Sequence, residues 1–433
     1  MKLNSFILLK KQKEKSFQEF EKGNYKDFFI YCNPIFHNEL ILINDTLFYG
    51  YIIDPYYPKN SNINIINEIS KITNNEILFE TMSKYSGRFL LMINDICFTD
   101  TCGQMQTFYY KNKEGFIITT SQKIIRELYP KSEIDKNKIS VLGQQKEFWG
   151  YQGLIDNSYL ILPNHYLDIN KKEIYRYPLD YNTDKSLDLT KVIKILEGSF
   201  EAITHRYEDN LHMGLTGGRD TRCLLSFADK YKDKIKFFQG CSGNKRELDL
   251  ANQLTKKLNL NFTTIDLKKI KPTQEFIDIY NSNRFTPYYS YIPIKSNLKY
   301  YMHKNNKNCM IITGTCAEIF RCFYSNNQID SILNKNNYTK KFSQQYKKLS
   351  QETCKNYGID FNDLFYWEQR LAFWNGSNSE EYNILGNMFV PFNNRIIINE
   401  LLKFNKNDRK QCNHYKKIIK MIGMEELLDI GYC

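Results

Sequence analysis

The apolar stretch Leu211-His212-Met213-Gly214-Leu215 runs without a break into Thr216-Gly217-Gly218-Arg219-Asp220-Thr221. Helical spacing resumes at once in Arg222-Cys223-Leu224-Leu225-Ser226-Phe227-Ala228. A strand that turns through two glycines straight into a helix restricts the fold, because it demands the strand–helix alternation of a parallel sheet with covering helices. The alternation extends to both sides. Helix-period segments at Val192 to Tyr207, Thr221 to Tyr231 and Glu247 to Leu258 interleave with apolar strands at Leu211 to Leu215, Ile235 to Gln239, Phe262 to Ile265 and Met310 to Thr313. Residues 184–433 are therefore expected to form an α/β unit around a doubly wound parallel sheet.

The first 183 residues follow another pattern. Short β segments such as Glu39 to Ile43, Arg88 to Ile93, Gln106 to Tyr110 and Gly115 to Thr120 are separated by turn residues, including Asn44-Asp45 and Asn94-Asp95. Short connections favour antiparallel pairing, so an antiparallel β-sandwich with helices is expected there; one helical stretch runs from Ile63 to Ile72. The polar segment Pro178 to Ser186 marks the expected boundary between domains 1–183 and 184–433, and 433 residues suffice for two cores.

Charge and cysteine content narrow the functional classes. The net charge of +12 fits a lysine-biased surface, and no Lys/Arg run interleaves with aromatics as a nucleic-acid groove requires. No nucleic-acid partner is expected. The 11 cysteines include no CxxC pair and no zinc spacing, which fits free thiols in a reducing cytoplasm. No apolar run reaches the length of a membrane span. A soluble, cytoplasmic chain is the expectation, with no membrane partner and with a homodimer allowed.

The Thr216–Thr221 loop carries the chemistry. Two glycines bring backbone close to a ligand, unpaired N–H groups at the helix start favour an anion, and the threonine hydroxyls add donors. Asp220 would repel bare phosphate, so it implies Mg²⁺ bridging carboxylate and phosphate. The plain alternative is a helix N-terminus after an ordinary strand. The loop lacks the Gly-Lys-Ser/Thr ending of a Walker A motif.

This loop resembles the Ser-Gly-Gly-x-Asp-Ser pyrophosphate loop of asparagine synthetase B-like enzymes, the N-type (PP-loop) ATP pyrophosphatases. Thr313-Gly314-Thr315-Cys316-Ala317-Glu318-Ile319-Phe320-Arg321-Cys322-Phe323-Tyr324 aligns without gaps to that family's Ser-Gly-Glu-Gly-Ala-Asp-Glu-Leu-Phe-Gly-Gly-Tyr. The resemblance implies an ATP site built from Leu215, Thr216, Gly217, Gly218, Asp220, Thr221 and Arg222, from Gln239 and Gly240 at the end of the next strand, and from Thr313 and Gly314. Asp220 and Glu318 would hold Mg²⁺, and Arg321 would clamp phosphate or carboxylate, unless it is a surface arginine. Thr315 stands where asparagine synthetases carry a catalytic glutamate, which tells against asparagine synthesis. Phe389-Val390-Pro391-Phe392-Asn393-Asn394-Arg395 and His414 to Ile419 match further family segments and read as structural. Lys416, Lys417 and Lys420 are weak candidates for a catalytic lysine. Asn283 to Tyr289 and Trp367 to Arg370 are placed as pocket walls by position between motifs, with core packing the commoner role for such aromatics.

The N-terminal half resembles the class II glutamine amidotransferase domain through Ser86-Gly87-Arg88-Phe89, the Asp100 to Tyr110 segment, Gly150-Tyr151 and Leu162-Pro163-Asn164-His165-Tyr166-Leu167. That chemistry uses an N-terminal cysteine whose own amine is the base. Position 2 is lysine, so glutaminase activity is expected to be absent. The resemblance then implies an AMP-forming ligase that adenylates a small-molecule or peptide carboxylate and joins it to an amine from a non-glutamine donor. Carbonyl activation for thiolation or amidination, or macrolactam closure on a peptide, are the alternatives on the same fold. A nonenzymatic nucleotide-binding scaffold is the alternative of another class.

Overall fold

Period-2 alternation in the first half builds two antiparallel sheets whose inner faces share one core. The computed structural model describes residues 5–10, 20–33, 38–113, 115–133, 150–179, 186–208, 210–243, 245–283, 293–306, 308–334 and 337–432. In spatial order the first sheet is Ser158–Leu160, Phe108–Asn112, Gly115–Thr119, Ser5–Leu9, Phe28–Asn33 and Glu21–Tyr25. The second is Glu173–Arg176, His165–Asp168, Ile96–Thr99, Ser86–Ile93, Thr46–Ile53 and Glu39–Ile43. Phe6, Leu8 and Ile30 of the first pack against Leu47, Tyr49, Leu90 and Met92 of the second. Phe48, Phe89 and Leu91 face the other way, under helices Asn62–Ile69 and Asn75–Met82. Sequence periodicity anticipates the first of these helices; the second begins after an Asn74 cap that accepts from the Glu76 and Ile77 N–H groups.

The second half contains the expected parallel sheet. Its strands are β1 (Leu211–Gly214), β2 (Ile235–Cys241), β3 (Phe262–Asp266), β4 (Cys309–Ile312) and β5 (Gly386–Phe389), in the order β3-β2-β1-β4-β5, with every neighbouring pair parallel. Helices α1 (Leu189–Arg206), α2 (Arg219–Ala228) and α3 (Lys245–Leu258) precede or connect the first strands. The Asp188 side chain caps α1 by accepting from the Thr190 and Lys191 N–H groups, and Val192, Ile195, Leu196, Phe200 and Ile203 form its buried face. Burial of each such side chain stabilises by roughly 1.5–3 kcal/mol. The strand order reverses between β1 and β4, and loops leaving the carboxyl ends of strands at such a reversal form a crevice. No described helix is long and apolar enough to cross a membrane, and the described cysteines form no disulfides.

The two halves join through a buried polar seam. Gly50 and Gly87 lie on neighbouring strands, paired with Phe89 and Ile52 respectively, with φ of +128° and +135°. A Cβ on Gly50 would lie 2.2 Å from the Arg88 carbonyl oxygen, so glycine is required. Tyr49 faces the sandwich core, whereas Tyr51, two residues on along the same face, joins the core shared with the parallel sheet and donates its hydroxyl to the Met388 carbonyl at 2.7 Å. Arg88 follows, fully buried, donating to Asn383 Oδ1 at 2.7 Å and Asn387 Oδ1 at 3.3 Å. From the other side, Asn393 donates to the Gly87 carbonyl and to Asp100 Oδ1 and accepts from the Cys102 N–H. Arg395 donates to Asn164 Oδ1 and to the Tyr177 hydroxyl. Side chains from each half thus bind the other through buried hydrogen bonds.

A decameric π-helix, Tyr366–Asn375, completes the seam. Trp367, Glu368 and Gln369 are buried within it. Residues 284–289, the other expected wall, lie outside the described residues, as do Lys2 and most of the 178–186 boundary.

Three buried histidines give the fold a pH signature. Burial pushes the imidazoles of His165 and His212 down to about 4 and that of His414 to about 3. An unfolded chain takes up these protons near pH ~6.5. Below that value the unfolded state therefore binds protons that the folded state refuses, and stability falls with pH by up to ~1.4 kcal/mol per unit for each histidine until the folded values are reached. Urea midpoints should drop between pH 6.5 and 4.5, and His212→Gln should flatten the slope. An unchanged slope in that variant would refute the assignment.

Candidate functional site

Thr216 and Thr221 close the loop after β1 on itself. Their hydroxyls share a hydrogen bond of 2.8 Å, and the Gly218 N–H donates to Thr216 Oγ1 at 3.2 Å. Gly218 stands at the N-cap of α2 with extended backbone and no side-chain cap, so the first-turn N–H groups remain directed outward along the helix axis. A Cβ on Gly218 would sit 3.1 Å from Asp220 Oδ1 and 3.2 Å from Thr216 Oγ1, and would fill the concavity these groups enclose.

The loop after β4 meets this one across the strand reversal. A Cβ built on Gly314 would be 3.5 Å from Asp220 Oδ2 and 3.8 Å from the Thr221 nitrogen. The chain then forms a short 3₁₀ turn, Ala317–Arg321, flanked by Cys316 at φ +74° and Cys322 at φ +52°. Both cysteines align with glycines of the resembling motif, and the left-handed backbone explains why glycine suits those positions. A non-glycine residue there costs roughly 1–2 kcal/mol. At Cys316 a set of buried contacts offsets it: the sulfur accepts from Asn375 Nδ2 at 3.3 Å and Gln104 Nε2 at 3.8 Å, and it lies against the Cys102 thiol.

The turn aims Glu318 and Arg321 at Asp220. Arg321 Nη1 is 4.0 Å from Asp220 Oδ1, and its Nη2 is 4.0 Å from Glu318 Oε1. Burial pushes the Glu318 carboxyl above its ordinary range, and the Asp220 charge adds to the effect; the Tyr366 hydroxyl, donating to Oε2 at 3.3 Å, opposes it. Burial would lower the Arg321 guanidinium, but Asp220 and its other neighbours outweigh that and hold it up. Two carboxylates and one guanidinium leave a local excess of negative charge. No group of three or more potential metal ligands occurs among the described residues. A divalent cation here would take oxygen from Asp220 and Glu318 and complete its shell with phosphate and water, the pattern of phosphate-borne Mg²⁺.

The other expected site residues divide by position. Leu215 is buried, and its N–H is spent on the Phe238 carbonyl. The Thr313 hydroxyl accepts from the Thr315 N–H, and the Thr315 hydroxyl is buried without a partner. Gln239, at the carboxyl end of β2, is 6% exposed, and its Oε1 is a buried acceptor without a partner. Gly240 packs against Leu267, where a Cβ would approach to 3.1 Å.

Arg222 goes elsewhere. Its guanidinium is buried, donates to the carbonyls of Leu427, Ile430 and Gly431, and lies 4.1 Å from the Tyr432 ring centroid. It ties the C-terminal segment to the loop, donating also to the Gly217 carbonyl at 3.5 Å. Lys416 is engaged by Asn413, and Lys417 lies over Phe404. Their helix braces the site instead, through the Tyr415 hydroxyl on the Ala317 carbonyl at 3.0 Å. Tyr366 and Tyr415 hold the 3₁₀ turn; Tyr366 lies in no motif, and Tyr415 lies in a segment that the sequence marks only as structural.

No family model and no curated protein matches the chain. Among solved structures, the chain is similar to the NH3-dependent NAD synthetase from Campylobacter jejuni subsp. jejuni NCTC 11168 in complex with the nitrate ion. That match has 15% identity over 42% of this chain and 92% of that one, with a TM-score of 0.25. It is also similar to the glutamine-dependent NAD+ synthetase from Acinetobacter baumannii in complex with ADP, at 10% identity over 45% of this chain and 43% of that one, with a TM-score of 0.23. Scores this low leave the functional reading to the site itself.

Proposed function

We propose that this chain is an ATP-using enzyme of the PP-loop type that adenylates a substrate carboxylate, releases pyrophosphate and passes the acyl group to an amine. One observation supports this above others: the Thr216–Thr221 loop and the Gly314–Arg321 segment converge on Asp220 at the strand reversal of a parallel sheet. The β- and γ-phosphates would sit on the uncapped first turn of α2, with the Thr216 and Thr221 hydroxyls as donors. The orphaned Gln239 Oε1 is placed to accept from an adenine amino group.

In the reaction the carboxylate oxygen attacks the α-phosphorus, the α–β bridging bond breaks, and its electron pair leaves on pyrophosphate. Charge grows on the phosphates where Arg321 and the α2 N–H groups stabilise it. Mg²⁺, held by Asp220 and Glu318, would screen that charge when bound. The amine then attacks the acyl carbon and AMP leaves. Calorimetry should show ATP binding that strengthens with Mg²⁺, and ATP–pyrophosphate exchange should appear with a subset of a carboxylate panel. Absence of ATP binding with and without Mg²⁺ would overturn the reading and favour a scaffold.

A further inference from the structure

A cavity of 590 Å³ opens away from the nucleotide loop, lined by strands from the edges of both antiparallel sheets and by helix Asn337–Tyr357. Ligand clefts occupy about 300–1,000 Å³ and combine aromatic walls with a few placed polar groups. None of the nucleotide-site residues lines this one.

Its chemistry selects by charge. Half-buried Tyr159 stacks on the buried Tyr109 at 5.1 Å with an interplanar angle of 21°. The protein's own ammonium, Lys111 Nζ, already lies 5.9 and 5.8 Å from those ring centroids and donates to the Lys172 carbonyl at 2.9 Å. A cationic ligand would therefore meet like charge where it would seek a ring face. The guanidinium of Arg176 is bound through both terminal nitrogens by the buried Glu368 carboxylate, and Glu173 and Glu352 stand exposed on the lining. The lining thus carries both signs, Lys111 and Arg176 against Glu173 and Glu352, and offers an ionic ligand of either sign no net charge. His165 is engaged on both ring nitrogens, by the Pro163 carbonyl at 2.8 Å and the Tyr151 hydroxyl at 3.2 Å.

Neutral hydrogen-bonding groups remain. Gln345 and Asn356 present exposed amides from the helix, beside Leu349, which is 42% exposed. Flat tyrosine faces next to amide groups match a ligand with apolar C–H faces and many hydroxyls. We propose that this cleft binds a neutral polyhydroxylated ligand, a mono- or oligosaccharide, packed on Tyr159 and hydrogen-bonded by Gln345 and Asn356.

Saturation-transfer NMR on the full chain with N-acetylglucosamine, chitobiose, cellobiose and maltose, and with choline and inorganic phosphate titrated by calorimetry as charged controls, tests this. At least one saccharide should bind. Tyr159→Ala and Asn356→Ala should each weaken it at least ~fivefold, the scale of one lost aromatic or amide contact. Asn356 is an exposed helix position, so its variant reads the site even if Tyr159→Ala folds poorly. Asp220→Asn should leave saccharide binding unchanged, which separates this cleft from the nucleotide site. Lack of binding by every saccharide, binding that survives Asn356→Ala, or preference for choline or phosphate would overturn the proposal.

Discussion

Asp220→Asn is expected to cut pyrophosphate release by roughly 10²–10³-fold, the scale of one lost electrostatic contact to a developing charge. The substitution keeps size and shape, so the close packing around Gly218 and Gly314 persists. It removes one of two carboxylates available to a phosphate-borne cation and one of two facing Arg321. Stability should stay within ~1 kcal/mol of the parent, because a part-exposed contact at 4.0 Å contributes little. Activity and folding are thus separable, which makes the variant informative. Glu318→Gln supplies the pH control. The folded Glu318 carboxyl titrates above its ordinary value of 4.5, so the folded state holds a proton that the unfolded chain has released. Stability therefore falls as pH rises from 4.5 through the folded value. Glu318→Gln should be the more stable protein at pH 7, with the advantage vanishing below about pH 4.5. Full pyrophosphate release by Asp220→Asn at saturating Mg-ATP would remove Asp220 from the chemistry.

Glu368→Ala should be the most damaging single change to stability, costing about 3–5 kcal/mol. Glu368 is fully buried and accepts from both terminal nitrogens of Arg176, from the Tyr346 hydroxyl at 3.0 Å and from Asn164 Nδ2 at 3.0 Å. Truncation leaves the Arg176 guanidinium with neutral partners, Ser350 Oγ at 3.4 Å and the Tyr151 hydroxyl. A buried cation without its counter-charge is far more costly than the pair is favourable. The double variant Arg176→Met/Glu368→Leu should recover most of the loss in guanidinium denaturation. A shift below ~1 kcal/mol for Glu368→Ala would show that the interior there is wetter than the geometry indicates.

Much of the parallel sheet could be read in the sequence because apolar strands and helical spacing alternate there. Strands expected at Leu211 to Leu215, Ile235 to Gln239, Phe262 to Ile265 and Met310 to Thr313 fall within one or two residues of β1 to β4 at each end. The fifth strand was hidden. It has four residues and begins at Gly386, where the φ of +147°, and the 2.2 Å at which an added Cβ would meet the Cys309 carbonyl oxygen, matter only once β4 lies beside it. The π-helix has no sequence signature, since its wide turn is held by remote partners such as the Thr101 carbonyl on Trp367 Nε1. At the site, Asp220, Glu318 and Arg321 were named from motif spacing and lie together. Arg222 was named with them because it follows the loop, but helical geometry turns it one face away, toward the carbonyls of Leu427, Ile430 and Gly431. The contributions of Tyr366 and Tyr415 come from segments about 50 and 100 residues distant from the loop they hold, a separation that local pattern does not encode.

Three successive residues of the π-helix reach three different places. Tyr366 touches Glu318, Trp367 holds the loop at Thr101, and Glu368 binds Arg176 at the floor of the tyrosine-walled cleft. Such a segment has no way to fray in part. Its backbone amides should exchange with solvent water only when the sandwich and the parallel sheet come apart together, so the halves unfold as one cooperative unit rather than in sequence.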